Sequence, residues 1–78
     1  MLLTLYSKPG CHLCEQAEAE LGRLAARYPH RLQTIDITQD PLLLERYGER
    51  IPVLVVGGRE YPAPLSAAVL ERALRSAC

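Results

Sequence analysis

A chain of 78 residues, 49% of them hydrophobic and none of them Phe or Trp, has room for one domain near the size limit below which a single apolar core needs disulfide or metal staples. Nine Lys and Arg balance nine Asp and Glu, which excludes the basic excess that general nucleic-acid and membrane-surface binders need. No apolar run approaches the roughly 20 residues that span a bilayer, and Met1 leads into Leu-Leu-Thr-Leu-Tyr with no basic n-region or cleavage site, so the expected location is the cytoplasm.

Leu2 to Tyr6 is a short apolar run ended by Ser7-Lys8-Pro9-Gly10, a buried strand followed by a loop that neither strand nor helix can continue through. Cys11 and Cys14 follow at once. From Leu13, the residues Ala17, Leu21, Leu24, Ala25 and Tyr28 recur at helical spacing with charged residues between them, which predicts a helix from about Cys11 to Tyr28, stopped by Pro29. Leu32 to Ile37 has the look of a half-buried strand. Asp40-Pro41 then supplies an N-cap and a proline at the first helical position. A short helix packing through Leu42 to Leu44 and Tyr47 should end at Gly48.

Pro52 to Val56 is the most β-prone stretch, and Gly57-Gly58 before Arg59-Glu60-Tyr61 predicts a two-residue hairpin turn. After Pro62-Ala63-Pro64, helical periodicity returns through Leu65, Val69, Leu70, Ala73 and Leu74, with Arg72 and Arg75 where the helix dipole favours cations. The resulting order, βαβαββα over residues 1–78, predicts an α/β domain. Its first βαβ unit is a right-handed parallel crossover and its last two strands a hairpin, giving a four-stranded mixed sheet with helices on both faces. The core is expected to consist of Leu, Val, Ile and Ala, with the four Tyr at its margins.

Three cysteines, two of them three positions apart, do not make a secreted disulfide framework and point to reactive or metal-binding use. Cys11 falls where the first helix begins, so unpaired N–H groups and the positive dipole end favour its thiolate, the nucleophile of disulfide exchange. Cys14 lies one turn on, within reach of a disulfide with Cys11. Other uses stand beside this one. A zinc site would need further ligands from His12, His30 and Cys78, and both cysteines also suit a core. His12 is either an imidazolium beside the thiolate or an exposed first-turn residue, and Lys8 either an ammonium near the sulfur or a solvated lysine. Cys78 is either a tail thiol or a partner in an intermolecular or glutathione disulfide.

Tyr6-Ser7-Lys8-Pro9-Gly10-Cys11-His12-Leu13-Cys14, then Ile51-Pro52-Val53, then Gly57-Gly58, resembles the glutaredoxin pattern of the thioredoxin superfamily in order and spacing. The resemblance implies a thioredoxin-like fold and thiol–disulfide oxidoreductase activity, with Cys11 as nucleophile, Cys14 as resolving thiol and a cis Pro52 beside them. It also implies that the backbone of Ile51 pairs with an extended substrate; Lys8, His12 and Arg50 are the further candidate substrate contacts, as cations or a polar ring near the motif. No cofactor need be tightly bound. The expected partners of a monomeric protein are protein or small-molecule disulfides, with glutathione or a thioredoxin-reductase-type enzyme as reductant. Rival readings are a thiol-based metal or iron–sulfur binder and a non-catalytic thioredoxin-fold interaction module.

The chain departs from these families at named positions. Leu5 and Gly10 stand where thioredoxins carry a buried acid and a Trp, and His12 and Leu13 replace the usual Pro and Tyr of glutaredoxins. Pro62 to Ser66, where glutaredoxins hold the glutathione amine with an Asp, contains none.

Overall fold

Side-chain alternation gives the sheet two unlike faces. In the computed structural model, which describes residues 1–77, strand β1 (Leu2–Ser7) buries Leu3, Leu5 and Ser7 and leaves Thr4 and Tyr6 half-buried on the other side, as a period of two requires. Strand β2 (Arg31–Asp36) lies parallel to β1 on one flank, and β3 (Val53–Val56) antiparallel on the other. Strand β4 (Arg59–Tyr61) pairs with β3 at the edge, so the order is β2-β1-β3-β4. Gly57 and Gly58 turn the hairpin with φ of 56° and 80°, the positive values that such a turn demands.

Helices α1 (His12–Leu24) and α3 (Ala67–Ala77) cover the first face. Ala17, Leu21 and Leu24 of α1 and Leu70, Ala73 and Leu74 of α3 pack with Leu3, Leu5, Leu54 and Val56. On the second face the shorter helix α2 (Pro41–Tyr47) joins Ile37, Tyr47 and Val53 with Tyr6, Leu43 and Ile51. The mixed sheet with helices on both faces is the thioredoxin-like architecture expected from the sequence.

Several element boundaries differ from the sequence expectation. Helix α1 stops at Leu24, because the N–H groups of Arg27 and Tyr28 both turn back to the Leu24 carbonyl at 3.1 and 2.8 Å, and Pro29 disfavours helical backbone at Tyr28. Tyr28 still packs against the first core cluster, which is why its spacing reads as helical. Ile37 leaves β2 and opens a 3-10 turn (Ile37–Gln39). Asp36 caps that turn by accepting from the Thr38 hydroxyl and N–H at 2.6 and 2.9 Å, and both bonds hold its carboxyl below the usual range. Helix α3 starts two residues after Leu65. Ser66 accepts the Val69 N–H at 3.2 Å as its cap, leaving Leu65 in the staple position that packs back on the core.

In α2 only Leu43 and Tyr47 pack, while Leu42 and Leu44 are 75% and 46% exposed. Nor does Tyr47 lie at a margin. Its buried ring stacks on Tyr6 with centroids 4.4 Å apart, and its hydroxyl donates to Glu60 on β4, a bond that raises the Tyr47 pKa. Arg46 reaches the same carboxylate at 3.6 Å. A tyrosine hydroxyl enters a core only with a partner, and Glu60 reaches it only through the folded hairpin.

Asp40 caps α2 as the sequence indicates, accepting the Leu42 N–H at 2.9 Å. Asp40→Ala is therefore expected to cost about 1 kcal/mol of stability, read as a lower urea midpoint at unchanged slope. An unchanged midpoint would show that the cap contributes nothing.

Candidate active site

The loop after β1 delivers Cys11 to the mouth of α1. Gly10 takes a φ of 77°; a Cβ there would meet nothing within 4 Å, so the need for glycine is torsional rather than spatial. The Cys11 N–H then closes a turn onto the Lys8 carbonyl at 3.2 Å. Cys11 is the N-cap of α1, with extended backbone (φ −82°, ψ 104°), and its Sγ accepts the Cys14 N–H at 3.2 Å. A cap residue's side chain is aimed at the free N–H groups of the first turn, so the helix itself turns these donors on the sulfur.

Cys11 and Cys14 are joined in a disulfide, their Cα atoms 5.2 Å apart, within the ordinary span of such bridges. Access to the two sulfurs is unequal. Cys14 is 1% exposed whereas Cys11 is only half-buried, so an incoming disulfide meets Cys11 first. When the pair is reduced, a Cys11 thiolate gains from the helix dipole and from the Cys14 N–H.

The other residues singled out by sequence lie around this pair in different ways. The Ile51–Pro52 bond is cis, Pro52 is buried and Ile51 packs in the second core cluster. His12 is exposed, with its Nε2 3.1 Å from the Gln16 side-chain nitrogen, which directs the ring along the helix surface. Lys8 and Arg50 are exposed and make no salt bridge among the described residues. They line separate clefts, Lys8 with Ser7 and Asp36, Arg50 with the end of α2.

A further cleft of about 190 Å³ is lined by Leu13, Gln16, Pro52, Ala63, Pro64, Leu65 and Ser66. It joins the cysteine motif to Pro52 and to a second cis bond, Ala63–Pro64. The sequence does not single out Leu13 or Ala63 to Leu65 as site residues. Leu13 opens the apolar spacing of α1 and so reads as a core residue, whereas in the structure it is 58% exposed, because it precedes the stretch of the helix that packs on the sheet. Among the described residues no three of His, Cys, Asp and Glu come together as metal ligands, and Cys78 lies outside those residues.

Residues 2–75 match the family described as Glutaredoxin-like domain (DUF836). Uncharacterized proteins of Mycobacterium bovis (Mb0520) and Mycobacterium tuberculosis (Rv0508) are 31% identical over 62 residues, covering 73% of this chain and 64% of each relative. The chain thus spans just under two thirds of the length of these curated relatives. Among solved structures, target protein XcR50 from X. campestris superposes with a TM-score of 0.82 at 39% identity, over 97% of this chain and 99% of that one. A mutant thioredoxin from Halobacterium salinarum NRC-1 gives 0.69 at 23% identity, over 96% and 72%, and speaks for the fold alone.

Proposed function

The chain belongs to the Glutaredoxin-like domain (DUF836) family, and from that membership and the cysteine pair we propose that it is a thiol–disulfide oxidoreductase. The observation that carries this reading is a bridged Cys11–Cys14 pair whose more accessible sulfur belongs to the N-cap residue of α1. In the reduced protein the Cys11 thiolate attacks one sulfur of a substrate disulfide. A Cys11–substrate disulfide forms, and the other substrate sulfur leaves as a thiolate that takes a proton from solvent. Cys14, deprotonated, then attacks Cys11 Sγ. The second substrate thiolate departs, leaving the protein oxidised and the substrate reduced by two electrons. A thiol reductant, glutathione or a thioredoxin-reductase-type enzyme, restores the dithiol.

In this reading the Ile51 backbone pairs with an extended substrate segment, and the exposed Lys8, His12 and Arg50 contact its polar groups. No tightly bound cofactor is required, and a monomer suffices. A reducing compartment such as the cytoplasm suits the chemistry, and among the described residues no helix is long and apolar enough to cross a membrane. Reduction of insulin and of a small symmetrical disulfide by the purified protein tests the reading. Turnover of neither, with the pair shown to be reduced at the start, would overturn it.

Glutathione is expected to bind weakly. Its amine calls for a carboxylate, and Pro62-Ala63-Pro64-Leu65-Ser66 carries none. The Ser66 hydroxyl is engaged with the Val69 N–H. One missing charge-assisted bond is worth about 1.5–3 kcal/mol, roughly a tenfold to hundredfold weaker Kd than for a glutaredoxin that supplies it. Calorimetric titration into Cys11→Ser measures this, and binding as tight as an ordinary glutaredoxin's would refute it.

A further inference from the structure

We propose that the cleft beside the cysteine pair takes an apolar side chain from within two positions of the substrate cysteine, with Leu13 setting the preference. The inference rests on the disulfide-exchange reading and names its substrate class: peptide or protein disulfides with an apolar flank.

Size and charge select the occupant. The cleft holds about 190 Å³, below the roughly 300–1,000 Å³ of sites that enclose a whole small molecule, so it fits one side chain and not a tripeptide. None of its lining residues is charged, and a charged group placed there would be desolvated without a counter-ion. Its two polar members already have partners, Gln16 at His12 and Ser66 at the Val69 N–H. What remains is Leu13, Pro52, Ala63, Pro64 and Leu65, with Leu13 58% exposed and therefore able to lose apolar area to a ligand.

The cleft borders the cysteine motif through Leu13, the neighbour of Cys14, and reaches Pro52, the neighbour of Ile51. A substrate strand paired along Ile51 repeats its side-chain direction every second residue, about 6.7 Å apart. One flanking side chain can thus occupy the cleft while its cysteine meets Cys11.

The test uses two synthetic peptides, each carrying one cysteine in mixed disulfide with cysteamine and differing only in Leu or Asn two positions away. Rates are normalised to those with dithiothreitol, to remove intrinsic reactivity. Wild-type protein is expected to favour the Leu peptide about tenfold in kcat/KM, the low end of what an apolar pocket discriminates, and Leu13→Asn to bring the ratio near one. Equal turnover by the wild type, or a preference that survives Leu13→Asn, overturns the inference while leaving the oxidoreductase reading intact. Failure of the wild type to turn over both peptides and a small symmetrical disulfide overturns the reading itself.

Discussion

Replacing Cys11 by serine is expected to abolish disulfide turnover, whereas Cys14→Ser should accept substrate and then stall as a stable mixed disulfide. The two outcomes differ because the sulfurs do. Cys11 is half-buried at the cap of α1 with a first-turn N–H on its Sγ, while Cys14 is 1% exposed. Nucleophilic attack needs a thiolate and a path to the substrate, and only Cys11 has both. Resolution needs only proximity to Cys11, which Cys14 has from one helical turn away. Mass spectrometry of Cys14→Ser in a Cys78→Ser background after incubation with a peptide disulfide should show one adduct, on Cys11. Alkylation of the reduced wild-type protein should label Cys11 first, and faster labelling of Cys14 would reverse the assignment.

Stability is expected to depend heavily on single aliphatic side chains. Leu54 on β3 is 0% exposed, within the cluster that joins the sheet to α1 and α3. Leu54→Ala should cost about 2–5 kcal/mol, the transfer and cavity terms together. A domain of this length has roughly 4–12 kcal/mol in total, at about 0.05–0.15 kcal/mol per residue. The variant is thus expected to melt at least about 8 °C lower, by calorimetry or far-ultraviolet circular dichroism. A loss below about 1 kcal/mol would mean that the surrounding leucines close over the gap. Tyr28 and Tyr61 pack at the edge of the same cluster, and Tyr61 pairs directly with Leu54 across the hairpin, so they are the aromatic rings nearest the gap.

The parts of the fold legible in the sequence were those set by local chemistry. The Gly57-Gly58 turn, the Asp40-Pro41 helix start and the placement of Cys11 at the mouth of α1 each depend on a few neighbouring residues, and each is where the sequence puts it. Contacts between single side chains far apart in the chain were not legible. Tyr47 enters the core because Glu60, thirteen positions on, meets its hydroxyl, and Tyr6 meets its ring.

The candidate site divides in the same way. The cysteine pair and Pro52 could be named from their motifs, but the cleft beside them forms only when the segment before α3 folds back against Leu13 and Pro52. Lys8 and Arg50 stand near the cysteines in the sequence reading, yet they line other clefts.

On the proposed thiol chemistry, the unequal burial of the two sulfurs is also expected to set where oxidative damage begins and where it stops. A peroxide meets the sulfur nearer solvent, and its first product on a Cys11 thiolate is a sulfenic acid. Cys14, shielded but within bonding distance in the folded chain, condenses with that sulfenic acid and releases water, regenerating the disulfide. The oxidised sulfur is thereby withdrawn from further oxygen transfer before the irreversible sulfonic stage. On the proposed exchange chemistry the inner cysteine would act as a chemical stop as well as a resolving thiol, and the damage would end in a state that a thiol reductant reverses.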